Sequence, residues 1–302
     1  PVVGRAARCR RVDFAAKPSQ SMKSHSSLPV LIAAAIAFAG GFSSLSAQSD
    51  SLLPTREPDV IFVPTPDEVV AAMLKMVDVK PGEMVYDLGC GDGRIVISAA
   101  RDFGARGIGV DIDPQRIAES RENATKAGVN DRVQFKQADL FTMNFADADV
   151  ITLYLLPALN VRLRPRLLDE LKPGTRIASH AFNMGDWEPD DRAEVGDPEK
   201  SIYFWRIPAK VAGQWKVRLP GGEEGTLTMQ QQFQKVTGSL KIGNQTLPLA
   251  EAKLSGKHLT FSAGTGATRR EGTAEFSGNK FSGTLQSGRA GSAGAWSGER
   301  TR

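Results

Sequence analysis

Cysteine is scarce in this 302-residue chain, which contains Cys9 and Cys90 and no other. A disulfide framework is therefore excluded, because Cys9 falls in a segment that the mature protein is expected to lose. The lack of disulfides fits a cytosolic protein, and it fits an exported bacterial protein equally well.

The apolar run from Leu28 to Phe42 is too short to cross a membrane easily. It has about 15 residues, whereas a spanning helix needs roughly 20. A short basic start at Met22 precedes it and small residues ending near Ala47 follow it, which is typical of a secretory signal peptide. We expect residues 1–47 to be a leader, with Met22 as the true start, and the protein to be exported to the periplasm or cell envelope. An uncleaved membrane anchor and a mitochondrial transit peptide are the second and third interpretations.

Acidic residues are rare at both ends of the chain and concentrated in its middle. The net charge is +5 for residues 1–47, −7 for 48–210 and +6 for 211–302. The overall value of +4 and the pI of 9.1 are thus properties of the tails. The middle does not have the charge of a nucleic-acid binder, so no nucleic acid is expected as a partner.

Histidine is also scarce, and His180 and His258 are the two that come after the predicted leader. No spacing of acids and histidines suits a metal, so no metal cofactor is expected. His258 is predicted to lie on the surface. His180 ends a predicted strand, where a hydrogen-bonded structural histidine is the favoured interpretation and a role in a pocket stays open.

Strands and helices alternate between residues 65 and 207. The first helix is predicted to start at Thr65 as its cap, with Pro66 at the first helical position and Glu68 completing a capping box. Asp113, Pro114 and Gly128 delimit another helix in the same way. The other predicted elements are strands 84–88, 107–110, 133–136, 150–154 and 175–179, helices 94–103 and 160–171, and a terminal hairpin of 193–195 and 202–207. This alternation predicts a mostly parallel sheet covered by helices on both faces, with ligands at the carboxyl ends of the strands.

After about Lys210 the pattern changes to short alternating runs separated by Gly, Asn and Ser. Turn residues recur every 8–12 residues or so, which predicts about eight antiparallel strands in a barrel or sandwich. We expect the chain to comprise the leader (1–47), a linker or cofactor flap (48–64), an α/β domain (65–210) and a β-rich domain (211–302).

The stretch VYDLGCGDGR, from Val85 to Arg94, lacks both common phosphate-binding patterns. Arg94 stands where the dinucleotide motif needs its third glycine, and no Gly-Lys-Ser/Thr comes after it. Asp87 instead leads three alternate glycines. Its carboxylate suits an α-ammonium group, and the glycines let the backbone lie against a cofactor. A plain tight turn is the alternative.

Two further acids lie after the next strands of the predicted sheet. Asp111, 18 residues beyond Gly93 in GVDID, is placed to accept bonds from both ribose hydroxyls. Asp139, in QADLF, can accept a bond from the amine of adenine. Acids for an ammonium, a ribose and an adenine at three successive strand ends predict S-adenosylmethionine as the cofactor.

Residues 60–207 resemble class I methyltransferases, and more narrowly the seven-strand protein-lysine methyltransferases. That group is typified by archaeal broad-specificity enzymes and by a mitochondrial relative acting on the ATP synthase c-subunit. The matching stretches are VPTPDEVVAAML (63–74), VYDLGCGDGRIVISAA (85–100), ADLF (138–141), VITLYLLPALN (150–160) and ELKPGTRIASHAF (170–182). The resemblance implies a Rossmann-like sheet and ends near Lys210, so it does not cover the β-rich, barrel-like part.

The resemblance also implies the site residues. Thr65 and its neighbours would fold over the cofactor, and Cys90 would be a small residue that fits in the turn. The expected cofactor-binding residues are Thr65, Asp87, Gly89, Cys90, Gly91, Gly93, Asp111, Ile112, Asp139 and Leu140. The expected acceptor channel contains Leu155, Leu156, Pro157 and His180.

The turn after the fourth strand predicts the class of methyl acceptor. It reads Thr-Leu-Tyr-Leu-Leu-Pro over residues 152–157, without the Asn/Asp-Pro-Pro-aromatic turn of many enzymes that methylate nucleobases or glutamine. Tyr154 is the candidate catalytic residue because its hydroxyl and ring face suit an amine, although core packing explains it equally well.

An acidic run, Asp186, Glu188, Asp190 and Asp191, is interpreted as a solvated loop, with attraction of a basic acceptor left open.

Three functions are compatible with these features. The first is a protein-lysine methyltransferase with a protein substrate, and the second is a small-molecule methyltransferase with the same donor site. The third is a binding module that keeps the cofactor fold without turnover, which an export signal favours because the donor is made in the cytoplasm. A membrane is expected as a partner only if the leader is not cleaved.

Overall fold

The computed structural model describes residues 57, 60–287 and 291–301. The predicted leader and most of the predicted flap lie outside these residues. The chain separates into two units, Pro1–Ser51 and Leu52–Arg302, and every feature below belongs to the second. Among the described residues, none of the helices combines the length and the apolar character that crossing a membrane would require.

Seven strands form one sheet in the order β3-β2-β1-β4-β5-β7-β6. Its elements are α1 (Asp67–Met76), β1 (Met84–Leu88), α2 (Arg94–Phe103), β2 (Arg106–Asp111), α3 (Pro114–Lys126), β3 (Val133–Gln137), β4 (Val150–Leu153), α4 (Pro157–Glu170), β5 (Arg176–His180), β6 (Asp191–Val195) and β7 (Lys200–Arg206). Strands β1 to β5 pair in parallel, whereas β7 is antiparallel to β5 and β6. The predicted mostly parallel sheet and its terminal hairpin are confirmed.

Helices cover both faces of this sheet, which explains its continuous apolar strands. In β1, Val85 packs with α1, α2 and α3 in one buried cluster. Its neighbours Tyr86 and Leu88 belong to a second cluster, which contains Leu163 and Leu167 of α4. Because successive side chains of a strand point to opposite faces, β1 contributes to both clusters.

Local capping signals predict one helix start correctly and another wrongly. Asp113 caps α3, accepting a bond from the Gln115 N–H at 2.8 Å, as expected. The prediction that Thr65 caps α1 is wrong, because Pro66 occupies the cap position and no side chain caps the helix. The Thr65 hydroxyl lies 3.2 Å from Nδ1 of His180 instead. Helix α4 starts at Pro157, three residues before the predicted Asn160.

The remaining strands close into an antiparallel barrel in the order β10-β11-β12-β13-β14-β15-β8-β9. They are β8 (Gly213–Arg218), β9 (Glu224–Gln232), β10 (Lys235–Ile242), β11 (Gln245–Ser255), β12 (His258–Ala263), β13 (Arg270–Ser277), β14 (Lys280–Ser287) and β15 (Ala293–Arg300), with a 3₁₀ turn at Gly266–Thr268. Trp215, Phe261, Phe276, Phe281 and Trp296 pack inside, so the interior is a side-chain core. The predicted fold class, a Rossmann-like sheet followed by a small barrel, is confirmed. Where the chain divides into domains stays a prediction.

Candidate active site

A cavity of about 810 Å³ opens at the carboxyl ends of the central strands. Its volume is that of a small-molecule site, which typically measures roughly 300–1,000 Å³. The predicted residues that line it are Thr65, Asp87, Gly89, Cys90, Asp111, Ile112, Asp139, Leu140, Tyr154, Leu155 and Leu156. Gly91, Gly93, Pro157 and His180 were predicted too, but they are not part of its lining.

The glycine turn after β1 needs glycine for two reasons. Gly89, Gly91 and Gly93 have φ values of 86°, 53° and 80°, which other residues rarely adopt. A Cβ atom at Gly89 would also lie 2.8 Å from Cδ2 of Leu155, and one at Gly91 would overlap the ring of Phe62. Gly89 therefore lines the cavity without a side chain, and Gly91 leaves room for the Phe62 ring.

Asp111 fixes the shape of this turn from the end of β2. Its Oδ2 accepts the Gly91 N–H at 2.8 Å, and its Oδ1 accepts the Asp113 N–H at 3.0 Å. Each carboxylate oxygen has a second lone pair, so Asp111 keeps acceptor capacity for hydroxyl groups. Asp139 is oriented similarly, because its Oδ1 accepts the Phe141 N–H at 2.8 Å.

Asp87 is a carboxyl group with only 2% of its surface exposed. Burial is the main reason that its pKa is raised to about 8; a hydrogen bond from Thr152 opposes the rise, and the charges of Asp111 and Asp92 add to it. That bond joins Thr152 Oγ1 to Asp87 Oδ1 at 2.8 Å. A cation beside Asp87 would stabilise the ionised form. A buried acid next to a glycine-rich turn fits the α-ammonium end of S-adenosylmethionine.

Cys90 lies inside the turn and lines the cavity with 5% of its surface exposed. Burial raises the pKa of its thiol well above the usual range, so the reactive thiolate is disfavoured. Cys90 therefore acts as a small apolar wall.

Residues before α1 cover the glycine turn, and the sequence prediction did not include most of them. Phe62 packs over Gly91, with the Arg116 guanidinium 4.9 Å from its ring centroid. Arg94 donates a 2.9 Å hydrogen bond to the carbonyl of Thr65 and pairs with Asp92 at 2.6 Å. The apolar run Ile-Phe-Val at 61–63, inside an otherwise polar linker, was the available signal for this cover.

One part of the cavity lining is a wall of aliphatic and aromatic side chains. It consists of Tyr154, Leu155, Leu156, Leu159 and Phe182. The Tyr154 ring stacks on Phe182, with centroids 6.1 Å apart and an interplanar angle of 16°. Tyr154 thus both faces the cavity and packs against other rings. Phe182 was not predicted as a site residue, although it ends the methyltransferase-like stretch 170–182.

His180 lies behind Tyr154, with ring centroids 3.9 Å apart. It is 2% exposed, and among the described residues its Nε2 has no hydrogen-bond partner. Burial lowers its pKa to about 4, and the charge of Lys200 acts in the same direction. His180 is therefore neutral at pH 7. It contacts the Tyr154 ring on one side and the Thr65 hydroxyl through Nδ1.

Comparison with known proteins places this site in a family. Residues 87–191 match the ANTKMT methyltransferase domain. A protein-lysine N-methyltransferase from Saccharolobus islandicus is 42% identical over 153 residues, which is 50% of this chain and 95% of that protein. The chain belongs to the protein-lysine N-methyltransferase family.

Two further relatives differ in how much of them is covered. The mouse lysine N-methyltransferase of the ATP synthase c-subunit is 33% identical over 45% of this chain and 54% of its own length. A crystal structure described as an RNA methyltransferase from Salinibacter ruber, in complex with S-adenosyl-L-homocysteine, is 50% identical. The match spans 49% of this chain and 96% of the Salinibacter ruber chain, with a TM-score of 0.48. The barrel of this methyltransferase lies beyond the matched family domain.

The acidic run of this methyltransferase is largely engaged in contacts with its own chain. Asp186 pairs with Arg164 at 2.5 Å, and Glu188 pairs with Lys235 at 2.9 Å. Asp190 accepts the Arg206 N–H at 2.7 Å. These contacts weaken the idea that the run attracts a basic acceptor. Within the described part of the chain, no group of three or more His, Cys, Asp or Glu side chains is arranged around a possible metal ion.

Proposed function

We propose that this chain transfers the methyl group of S-adenosylmethionine to the ε-amine of a lysine in a protein. The observation that carries the proposal is a single cavity lined both by the donor-site acids Asp87, Asp111 and Asp139 and by a wall of aliphatic and aromatic side chains. The apolar wall suits the hydrocarbon stem of lysine, and the face of Tyr154 suits its amine. Membership of the family supports the same acceptor.

The residues of the chain position the reactants and exclude water. When bound, S-adenosylmethionine supplies a methyl group that is already activated by its sulfonium. Asp87 would hold the ammonium of the cofactor, and Asp111 and Asp139 its ribose and adenine. Removing lysine from water in the apolar wall disfavours its charged form, which leaves the amine lone pair available. Orientation then contributes most of the acceleration.

Labelling with a methyl-tritiated donor tests the proposal. The full chain is incubated with the donor and a cell lysate, and the label is followed in protein, nucleic acid and small solutes. We expect label in protein, recovered after hydrolysis as methyl-lysine. Label confined to small solutes would establish the second function, and label in nucleic acid would contradict the acceptor proposed.

Asp87→Asn provides the matched control, because it keeps the size of the side chain and removes its charge. Calorimetry with S-adenosylhomocysteine, run beside the labelling, separates binding from transfer. Binding without transfer to any fraction would favour the third function, a binding module. Absence of binding to the unaltered chain would remove the cofactor assignment itself.

We further propose that residues 22–47 direct export, with an uncleaved anchor as the alternative. The short basic start, the apolar run and the small residues near Ala47 support this. Amino-terminal sequencing of the native protein is the test. A mature start near Gln48 is expected, and an intact leader would favour the anchor.

A further inference from the structure

The turn that joins β9 and β10 of the barrel contacts a loop and a helix of the methyltransferase fold. The turn is Phe233-Gln234, and it contacts the post-β5 loop, residues 181–190. The Phe233 ring stacks on Trp187, with centroids 5.8 Å apart and an interplanar angle of 24°. The guanidinium of Arg164, on α4, lies 5.1 Å from the Phe233 ring centroid. Trp187 is fully buried, so this contact belongs to the core of the protein.

Oriented hydrogen bonds fix the same contact. Gln234 Oε1 accepts the Trp187 Nε1–H at 2.9 Å, and its Nε2 donates to the Glu188 carbonyl at 2.7 Å. Lys235 adds an exposed ion pair with Glu188 at 2.9 Å. Because Gln234 uses both ends of its amide, the two bonds orient Trp187 and Glu188 of the loop relative to the turn.

Phe233 adopts a backbone conformation that glycine normally takes. Its φ is 55°, and the first residue of a two-residue hairpin turn with positive φ is usually Gly. A bulky residue in that conformation is strained. The Phe233 ring stacks on Trp187 of the post-β5 loop, so its ring contact is made with the loop.

The post-β5 loop carries this contact to the cavity. Trp187 forms an isolated antiparallel β-bridge with Met184 within the loop. Arg164 donates a 2.7 Å hydrogen bond to the Met184 carbonyl. At the other end, Phe182 lines the cavity and stacks on Tyr154. The loop has little regular structure, so these contacts fix its middle. Phe182 is also held directly, because its carbonyl accepts the Ser179 hydroxyl at 2.7 Å and the Asn160 amide at 3.3 Å.

We propose that the β9–β10 turn of the barrel positions the acceptor wall of the cavity, with Phe233 and Gln234 acting through Trp187 on Phe182. The inference rests on the proposed function for its acceptor. Asp87 lies in β1, Asp111 ends β2 and Asp139 follows β3, whereas the turn contacts the loop after β5. The turn therefore acts on the acceptor and leaves the donor site unchanged.

Phe233→Gly in the full chain tests the proposal. Glycine removes the ring and also relieves the left-handed backbone, so the barrel is expected to fold. Gln234→Ala is the second variant, which removes the oriented bonds. Asn244→Ala, at the exposed β10–β11 turn, is the matched control.

The lysate protein that takes up most label is purified and used as the acceptor. For Phe233→Gly we expect the KM of this acceptor to rise about tenfold, with a smaller change in kcat. The Kd of S-adenosylhomocysteine should stay within about twofold of its original value, because the donor site is untouched. Amide hydrogen exchange over residues 182–188 should become faster, and Asn244→Ala should change none of these.

Unchanged exchange and unchanged acceptor KM in Phe233→Gly would overturn the inference. Faster exchange with an unchanged acceptor KM would overturn it too, since the turn would then only support the loop. If the unaltered chain transfers no methyl group to protein, the proposed function fails. In that case the exchange over residues 182–188 still decides whether the turn holds the loop.

Discussion

At the scale of single residues, binding of the methyl donor depends on the protonation of Asp87. Its pKa is raised to about 8, chiefly because the carboxyl group is buried. A ligand ammonium pairs with the ionised form, so binding below pH 8 must first remove a proton. Affinity is then expected to fall by up to about tenfold for each pH unit below that value.

The first prediction concerns this proton. Binding of S-adenosylhomocysteine should strengthen from pH 6 to pH 8 and then level off, as measured by calorimetry. Asp87→Asn should bind weakly at pH 8 and show little dependence on pH. Affinity of the unaltered chain that stays constant over this range would contradict the assigned partner of the ammonium.

Individual residues also mark the limit of what the sequence predicts. Asp87, Asp111 and Asp139 could be found because each lies just after or at the end of an apolar strand, and parallel strands end at the same edge. The prediction that Thr65 caps α1 was wrong although Thr65, Pro66 and Glu68 do match the sequence pattern of a helix start. The pairing of its hydroxyl with His180, 115 residues away, prevailed over that pattern.

At the scale of elements, the glycine turn and the segment before α1 form one assembly. Gly91 has a positive φ, and its missing Cβ leaves the place that the Phe62 ring occupies. Gly82 also has a positive φ, of 81°, but a Cβ atom there would meet nothing within 4 Å. Substituting Gly82 therefore tests the backbone strain alone, whereas substituting Gly91 tests the strain together with the clash with Phe62.

Gly91→Ala should lose more stability and more donor affinity than Gly82→Ala. Gly82→Ala carries the left-handed backbone penalty, of the order of 1 kcal/mol in stability, with donor binding unchanged. Gly91→Ala adds displacement of Phe62, and we expect donor affinity to fall at least tenfold. Calorimetry and urea unfolding provide the two measurements. Equal donor affinity in the two variants would show that Phe62 is not part of the donor site.

Elements with regular patterns were predicted better than the loops between them. Helix α3 could be predicted from its Asp113 cap and its proline, whose effects are local. The post-β5 loop could not be predicted, because contacts from α4 and the barrel determine its path. Asn160 donates to the Phe182 and Asn183 carbonyls at 3.3 Å, and its place in a helix before β5 gives no sequence signal for this.

At the scale of the whole molecule, alternation and turn spacing predicted a barrel but not its contact with the sheet. Strand pattern reports which residues face a core, and the barrel core is indeed filled by Trp and Phe side chains. The docking of the β9–β10 turn depends on two residues at a hairpin tip, where sequence patterns ordinarily indicate exposure.

The stability of the whole molecule should depend on pH through two buried groups, Asp87 and His180, whose effects have opposite signs. Asp87 has a folded pKa of about 8 against an ordinary 3.8. Between these values the folded state holds the extra proton, so stability falls as pH rises. His180 has a folded pKa of about 4 against 6.5. In that window the unfolded state holds the extra proton, so stability rises with pH.

The donor-free chain should therefore change little in stability from these groups between pH 4 and 6.5, and lose stability from pH 6.5 to 8. The limiting slope is about 1.4 kcal/mol per pH unit. Asp87→Asn should gain stability up to pH 6.5 and then stay level, whereas His180→Gln should lose stability across the whole range. Urea unfolding of the three proteins at pH 4.5, 6.5 and 8 measures the differences. If Asp87→Asn lost stability between pH 6.5 and 8 as the unaltered chain does, the buried carboxyl would not be the source, because the substituted side chain has no proton to release in that window.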